Sequence, residues 1–199
     1  MKRAVAILAG GESQRMGQDK ASLRREGVTL LERTATLALA TAPQLLVIGR
    51  TQPEAWPLAS TQFISDDTPS VGPLGGLATA LRHLEDEALL LTLSCDLPLL
   101  TADALQWLWA QSEGKQDSHG VVTTTENGRQ KQPLFAIYTP AVLPLIERQL
   151  SSGRRSLHAL LEAGNFAYLA APPEVEAALV NVNTPDEWTA ALAATEIIN

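Results

Sequence analysis

Cysteine is almost missing from this chain: Cys95 stands alone among 199 residues, which excludes an internal disulfide. Histidine is nearly as scarce. His83, His119 and His158 are scattered, and no Cys/His spacing of the kind that holds zinc is present. The sequence therefore offers neither a nucleophile with a paired base nor a general base of its own. Cys95 ends an apolar run and reads as a packed thiol rather than an attacking one. Long apolar runs are absent, as is the pattern of a signal peptide, so the expectation is a cytoplasmic protein without a membrane span. A basic excess is lacking too. The net charge of −7 argues against nucleic acid or an anionic membrane surface as a partner, since both reward positive charge. No internal repeat or low-complexity tract is visible.

The length suits one domain, residues 1–199, and permits a substantial buried core. Its charge is unevenly spread. Residues 1–25 hold six basic side chains (Lys2, Arg3, Arg15, Lys20, Arg24, Arg25) against two acids (Glu12, Asp19), a local +4 that leaves −11 for the remainder. Arg24 and Arg25 read as a solvated face. Lys2 and Arg3 precede, and Arg15 and Lys20 lie within, the segment LAGGESQRMGQDK, residues 8–20, which begins at the end of the apolar run 4–8. A strand that stops at Gly10 and Gly11 leaves backbone N–H groups open to an anion, because no side chain stands in the way. Arg15 and Lys20 add fixed positive charge. The spacing fits neither the ATPase P-loop nor G-x-G-x-x-G, so a third kind of nucleotide site is implied.

Short runs rich in Val, Ile and Leu at 4–8, 45–49, 62–65 and 88–94 predict buried parallel strands. Helical patterns lie between and after them, at 29–42, 74–85 and 101–112, with Thr101 as an N-cap. This alternation predicts an α/β fold with a mainly parallel sheet. Past residue 118, the β-branched stretch 120–125, the turn Glu126-Asn127-Gly128 and the run 132–139 predict a hairpin. Helices follow at 140–150 and 155–163, the latter ended by Gly164. Strands are expected at 167–170 and 178–182. Thr184-Pro185-Asp186-Glu187 is a capping box that opens the last helix.

Asp96 follows the run 88–94, which a parallel sheet places at its carboxyl edge, where ligands of open α/β folds bind. A carboxylate there can hold Mg²⁺, which takes one or two protein carboxylates and fills its shell with phosphates and water. A turn or capping aspartate before Pro98 is the alternative. Asp66 and Asp67 close the third strand ahead of Gly72-Pro73-Leu74-Gly75-Gly76; one of them could reach a nucleotide, or both could be solvated turn acids. Gly75 and Gly76 would let the following helix pack close to the sheet or a base. Asn181 and Asn183 fall on one side of the expected last strand and could present two amides to one ligand, or pair with nearby backbone. Arg154 and Arg155, at a helix start, could bind a second substrate's phosphate or be solvated.

Residues 8–20 resemble the signature of nucleotidyltransferases with a Rossmann-like domain, and the ending Arg15-Met16-Gly17-Gln18-Asp19-Lys20 is most similar to the molybdenum cofactor guanylyltransferase family. Further matches run down the chain: Cys95-Asp96-Leu97-Pro98-Leu99, Gln132-Pro133-Leu134-Phe135-Ala136, Arg155-Ser156-Leu157 and Asn181-Val182-Asn183-Thr184-Pro185. The resemblance implies a three-layer α/β/α sandwich with a nucleotide-binding half, 1–115, and an acceptor-binding half, 116–199. It implies a Mg²⁺-dependent enzyme that transfers GMP from GTP to molybdenum-molybdopterin and releases diphosphate. Leu8, Ala9, Gly10, Gly11, Lys20, Asp66 and Asp96 would contact GTP. Lys20, Arg15 and Asp96 would act in catalysis, with Asp96 also holding the metal; Asn181 and Asn183 would lie near the pterin substrate or the metal, and Arg155 would bind the second substrate.

An acceptor phosphate is already ionised near neutral pH, so no protein base is required of such an enzyme. The alternatives are another nucleotide such as CTP, a sugar-phosphate acceptor, or a carrier that binds nucleotide without turnover. A monomer or weak oligomer is expected, with transient contacts to cofactor-insertion proteins or apo-molybdoenzymes. One departure stands out. Family members commonly carry an asparagine contact after the second strand, where this chain has Gly49-Arg50-Thr51, and no role is assigned there.

Overall fold

In the computed structural model, which describes residues 2–10, 19–67, 71–84, 88–115, 117–125 and 127–196, the first apolar run becomes β1 (Arg3–Leu8), buried along nearly its whole length. The chain then forms a two-residue-per-strand hairpin, β2 (Arg24–Arg25) and β3 (Val28–Thr29), closed by Glu26 and Gly27, both at positive φ. Next come α1 (Leu30–Leu39), β4 (Gln44–Ile48), β5 (Thr61–Ile64), α2 (Pro73–Arg82) and β6 (Leu89–Ser94). The remainder is α3 (Ala102–Gln111), β7 (Gly120–Thr124), β8 (Lys131–Tyr138), α4 (Leu143–Ser151), α5 (Leu157–Ala163), β9 (Phe166–Ala170), α6 (Pro173–Ala178) and α7 (Pro185–Glu196).

Among the described residues, seven strands share one sheet in the order β5-β4-β1-β6-β8-β7-β9. All neighbours are parallel except those of β8, which runs against β6 and β7. The sheet is thus mainly parallel, as expected. Its chain path explains where a ligand can enter. From β1 the chain moves outward to β4 and β5, then returns to the other side of β1 as β6, so the carboxyl ends of β1 and β6 open onto a crevice at the switch in direction.

The period of two in the strands divides the core between the two sheet faces. Val5, Ile7, Leu45, Val47, Leu91 and Leu93 pack with α1, α3 and α6 on one face. Ala4, Ala6, Leu46, Ile48 and Leu90 pack with α2, α4 and α5 on the other. This is the three-layer α/β/α sandwich. Full burial of each larger aliphatic side chain contributes about 1.5–3 kcal/mol, so a sheet buried on both faces is a rigid floor for whatever its edge carries.

Helix ends follow their local chemistry. Thr29 caps α1 in a complete capping box with Glu32, and Thr101 caps α3 by accepting from the Ala104 amide at 3.2 Å. Thr184 and Glu187 form the expected box at α7: the Glu187 amide donates to Thr184 Oγ1 at 3.2 Å and the Thr184 amide donates to Glu187 Oε2 at 3.1 Å. Gly164 does end α5, but its φ is −102°, outside the left-handed region. Space is the reason. A Cβ at Gly164 would lie 2.3 Å from the Phe166 ring and 2.9 Å from His119 Nδ1.

Two expectations are corrected. No strand covers 178–182: Pro172 and Pro173 open α6, which runs to Ala178 with Val175 and Ala178 turned inward, and the chain then continues as a loop whose Val182 amide donates to the Asp96 carbonyl. The apolar run there is a helix end plus the buried anchor Val182, packed with Leu30 and Ala191. Arg25 is not a solvated residue either. Its side chain is only 11% exposed, and its Nη1 donates to the Pro98 carbonyl at 3.3 Å, fastening the β2–β3 hairpin to the loop that follows β6.

Candidate active site

A cleft of about 750 Å³ opens at the carboxyl ends of β1, β4 and β6. Leu8, Ala9 and Gly10 form one wall, Gly72 with Pro73 and Gly76 of α2 forms another, and Ser94, Cys95 and Asp96 stand where β6 ends. Backbone bonds hold these edges level. The Ala9 amide donates to the Ile48 carbonyl at 3.0 Å, and the Gly49 amide donates to the Ile64 carbonyl at 2.8 Å, extending the parallel ladder beyond the strands.

Glycine is required where these edges meet. Gly49 has φ +82°, and a Cβ there would lie 2.6 Å from Gly10 Cα. The room left by the pair is occupied by Asp66, whose Oδ2 lies 2.9 Å from the Cβ position of Gly49 and 3.0 Å from that of Gly10. Asp66 therefore faces the cleft, whereas Asp67 accepts from Arg82 Nη1 at 2.9 Å on the outer side of α2. Burial, with a smaller contribution from the Asp67 charge, raises the Asp66 carboxyl above its ordinary pKa.

Lys20 opens a one-turn 3-10 helix, Lys20–Ser22, capped by Asp19, whose Oδ1 accepts from the Ala21 amide at 3.2 Å. The ammonium reaches across the cleft to Asp96 Oδ2 at 3.3 Å and to Asn183 Oδ1 at 2.7 Å. The loop bearing Asn183 is fixed by the Val182 amide, which donates to the Asp96 carbonyl at 3.0 Å, and by the Asn183 amide, which donates to Glu187 Oε2 at 2.5 Å. Asp96 Oδ1 is buried and, among the described residues, has no hydrogen-bond partner. An orphaned carboxylate oxygen at the wall of this cleft is suited to a hard cation. Among the described residues no cluster of three acidic, histidine or cysteine side chains gathers; a single carboxylate such as Asp96 could hold Mg²⁺ only together with substrate oxygens and water.

A second cavity of about 210 Å³ lies beside the first and shares Ser94, Asp96 and Leu134 with it. Its other walls include Lys131, Gln132, His158 and Asn181. Leu134 of that wall lies in a stretch where the β7–β8 pairing slips between Val122 and Thr123: Val122 faces Ala136, but Thr123 already faces Gln132. The intervening residues bulge, with the Pro133 carbonyl taken by Thr92 Oγ1 at 3.2 Å and by the Tyr138 hydroxyl at 2.9 Å.

Of the sequence-derived candidates, the structure brings Leu8, Ala9, Gly10, Lys20, Asp66 and Asp96 to one cleft. Gly11 and Arg15 lie outside the described residues. Asn181 and Asn183 are separated in role: one lines the smaller cavity and the other touches Lys20, from a loop rather than from one side of a strand. Arg155 is exposed just before α5 and lines neither cavity. Burial, followed by the Asp96 charge, pushes the Cys95 thiol up to about 11, which keeps it protonated and non-nucleophilic at neutral pH. Sequence reasoning did not single out Arg50, His158, Lys131 or the cleft role of Leu134. Only the Gln132-Pro133-Leu134 motif carried a signal for the last. Arg50 belonged to the Gly49-Arg50-Thr51 departure, but nothing local pointed to its acidic partner, 31 residues away.

The mainly parallel sheet with its switch-point cleft is the Rossmann-like arrangement, and the family match makes the chain a nucleotidyltransferase. Residues 5–171 match the MobA-like NTP transferase domain, and the chain belongs to that family. It is 38% identical over 196 residues to a probable molybdenum cofactor guanylyltransferase of Synechococcus elongatus, covering 96% of this chain and 98% of the relative. It is 35% identical to the molybdenum cofactor guanylyltransferase of Xanthomonas euvesicatoria pv. vesicatoria, covering 92% and 90%. Among solved structures, it is similar to molybdopterin-guanine dinucleotide biosynthesis protein A from Archaeoglobus fulgidus, with a TM-score of 0.78, 25% identity and coverage of 98% and 99%. A 2-C-methyl-D-erythritol 4-phosphate cytidylyltransferase from Thermus thermophilus, at 20% identity and a TM-score of 0.70 with coverage of 98% and 100%, shares the fold. Among the described residues no helix is long and apolar enough to cross a membrane.

Proposed function

We propose that this chain transfers the GMP part of GTP to the terminal phosphate of molybdenum-molybdopterin and releases diphosphate. The observation that carries the reading is that Asp96 stands in the wall of both cavities, the larger bounded by Gly10 and Lys20 and the smaller by Gln132, His158 and Asn181. A transferase must bring two phosphates to one place, and Asp96 is a charged group within reach of both. Relatives named as molybdenum cofactor guanylyltransferases, aligned over nearly their full lengths, support guanosine and the molybdenum cofactor as the two substrates.

In this reading the Ala9–Gly10 backbone approaches the triphosphate and Lys20 neutralises charge on it. Gly72, Pro73 and Gly76 flank the nucleoside end of the cleft. An oxygen of the acceptor phosphate attacks the α-phosphorus; the new P–O bond forms as the bond to the β-phosphate oxygen breaks, and the electron pair leaves with diphosphate. The attacking oxygen is already ionised, so no side chain has to remove a proton. Asp96 would hold Mg²⁺, which supplies further neutralisation of phosphate charge when bound. The smaller cavity would receive the acceptor, with Lys131 and His158 near its phosphate.

The test is a nucleotide panel. Purified protein, Mg²⁺ and molybdenum-molybdopterin are incubated with GTP, CTP, ATP or UTP, and diphosphate and the dinucleotide product are quantified. Preferential consumption of GTP with matching formation of the guanine dinucleotide is expected. Preferred turnover of CTP, or diphosphate release only with a sugar phosphate as acceptor, would reject the assignment.

A further inference from the structure

We propose that Arg50 is the positioning residue of the nucleotide site: its guanidinium ties Ala9 to Asp19 and, through Asp19, sets where the Lys20 ammonium stands. This rests on the reading of Lys20 as a phosphate-binding group. Arg50 Nε donates to the Ala9 carbonyl at 3.1 Å, and Nη1 donates to Asp19 Oδ2 at 2.6 Å. Nη2 completes the fork on Asp19 Oδ1. One planar cation thus fastens the residue that follows the first strand to the residue that begins the lysine-bearing turn.

Asp19 passes this constraint on. Its Oδ1 also accepts from the Ala21 amide at 3.2 Å, and its carbonyl accepts from the Ser22 amide at 3.0 Å and from Ser22 Oγ at 2.7 Å. The turn that carries Lys20 is therefore built on Asp19, and Asp19 is held by Arg50. Geometry also explains why the arginine arrives there. Gly49, in the left-handed region and pressed against Gly10, turns the chain after β4 toward the glycine edge.

The pair is not an ordinary surface bridge. Arg50 and Asp19 side chains are 28% and 39% exposed, and a bidentate fork is stronger and more directional than a single lysine contact. Arg50 lines neither cavity, so its effect on the ligand runs through Asp19 and Lys20 rather than by contact.

The experiment compares the parent protein with Arg50→Ala, Arg50→Lys, Asp19→Asn and the Arg50→Ala/Asp19→Asn double variant, with Lys20→Ala alongside. Affinity for GTP and CTP is measured by equilibrium dialysis with Mg²⁺, and kcat and KM by diphosphate release, all below the unfolding temperature of each variant. Arg50→Ala is expected to weaken triphosphate affinity and raise its KM about tenfold, with the acceptor KM unchanged. Asp19→Asn should lose a similar factor, and the double variant no more than the larger single loss, because both remove one link. Arg50→Lys should recover only part of the loss.

Losses that multiply in the double variant would overturn the proposal, since Arg50 would then act independently of Asp19. So would an Arg50→Ala protein whose melting temperature falls while its triphosphate affinity holds, or a parent whose affinity is indifferent to Lys20→Ala. A parent that prefers CTP rejects the guanylyl reading alone. The same cycle, read with CTP, then decides the role of Arg50.

Discussion

The two sides of Asp96 are built differently. Toward β1 and β4 the cleft is made of backbone edges, glycines in forced contact and a chain of ionic links from Arg50 through Asp19 to Lys20. Toward β8 and α5 the smaller cavity is lined by side chains from a bulged strand, a helix and the 179–184 loop, which capping by Glu187 and the buried Val182 hold in place. A backbone-built site suits phosphates, which every nucleotide shares, whereas a site built from side chains can vary with its acceptor.

The strongest way to break this division is to remove what both sides share. Asp96→Asn should fold normally yet lower kcat about 10²–10³-fold, the range for deleting one electrostatic stabiliser of a transition state, measured by diphosphate release at saturating Mg²⁺. Parental turnover in that variant would remove Asp96 from the chemistry. Next in size, Gly49→Ala should destabilise the fold by about 2–3 kcal/mol through a strained φ and collision with Gly10. Glu187→Ala, on the side of the smaller cavity, should cost only about 1 kcal/mol for a lost cap. Urea denaturation of the pair checks both, and equal losses would show the two sides to be equally rigid.

The smallest effect sharpens the electrostatic contrast. Because the folded state raises the Asp66 pKa, ionised Asp66 opposes folding at neutral pH, and its penalty is relieved as pH falls through the folded pKa. Asp66→Asn should therefore melt slightly higher than the parent at pH 7. The gap should close toward about pH 4, the ordinary carboxylate value, where the parent also becomes neutral. A gap that widens on acidification would have the wrong sign.

Much of the fold was legible residue by residue. The runs at 4–8, 45–49 and 88–94 are strands because apolar side chains on both faces suit only a sheet covered on both sides. The capping box at Thr184 was legible because its bonds span three residues. The stretch 178–182 was misread as strand because a short apolar run carries no period that separates a helix end from a strand. The hairpin of β2 and β3 was missed, since four residues leave no periodic signal.

The candidate site divides along the same line. Gly10, Lys20, Asp66 and Asp96 could be picked out because each follows a strand or belongs to a motif, and parallel strands bring their carboxyl ends to one edge. Which of Asp66 and Asp67 enters the cleft was decided by Gly10 and Gly49 leaving room for one carboxylate while Arg82 claimed the other.

By itself, then, the order of residues determined the alternation of strands and helices, the glycine edge and the identity of the charged groups, because these depend on side-chain period and on neighbours a few positions apart. Only the tertiary structure decided that Arg50 reaches Asp19, that Asn183 meets Lys20 across 163 positions and that Asp96 joins two cavities. Those contacts follow from strand order and a slipped register, which pack distant segments together and leave no trace in local spacing.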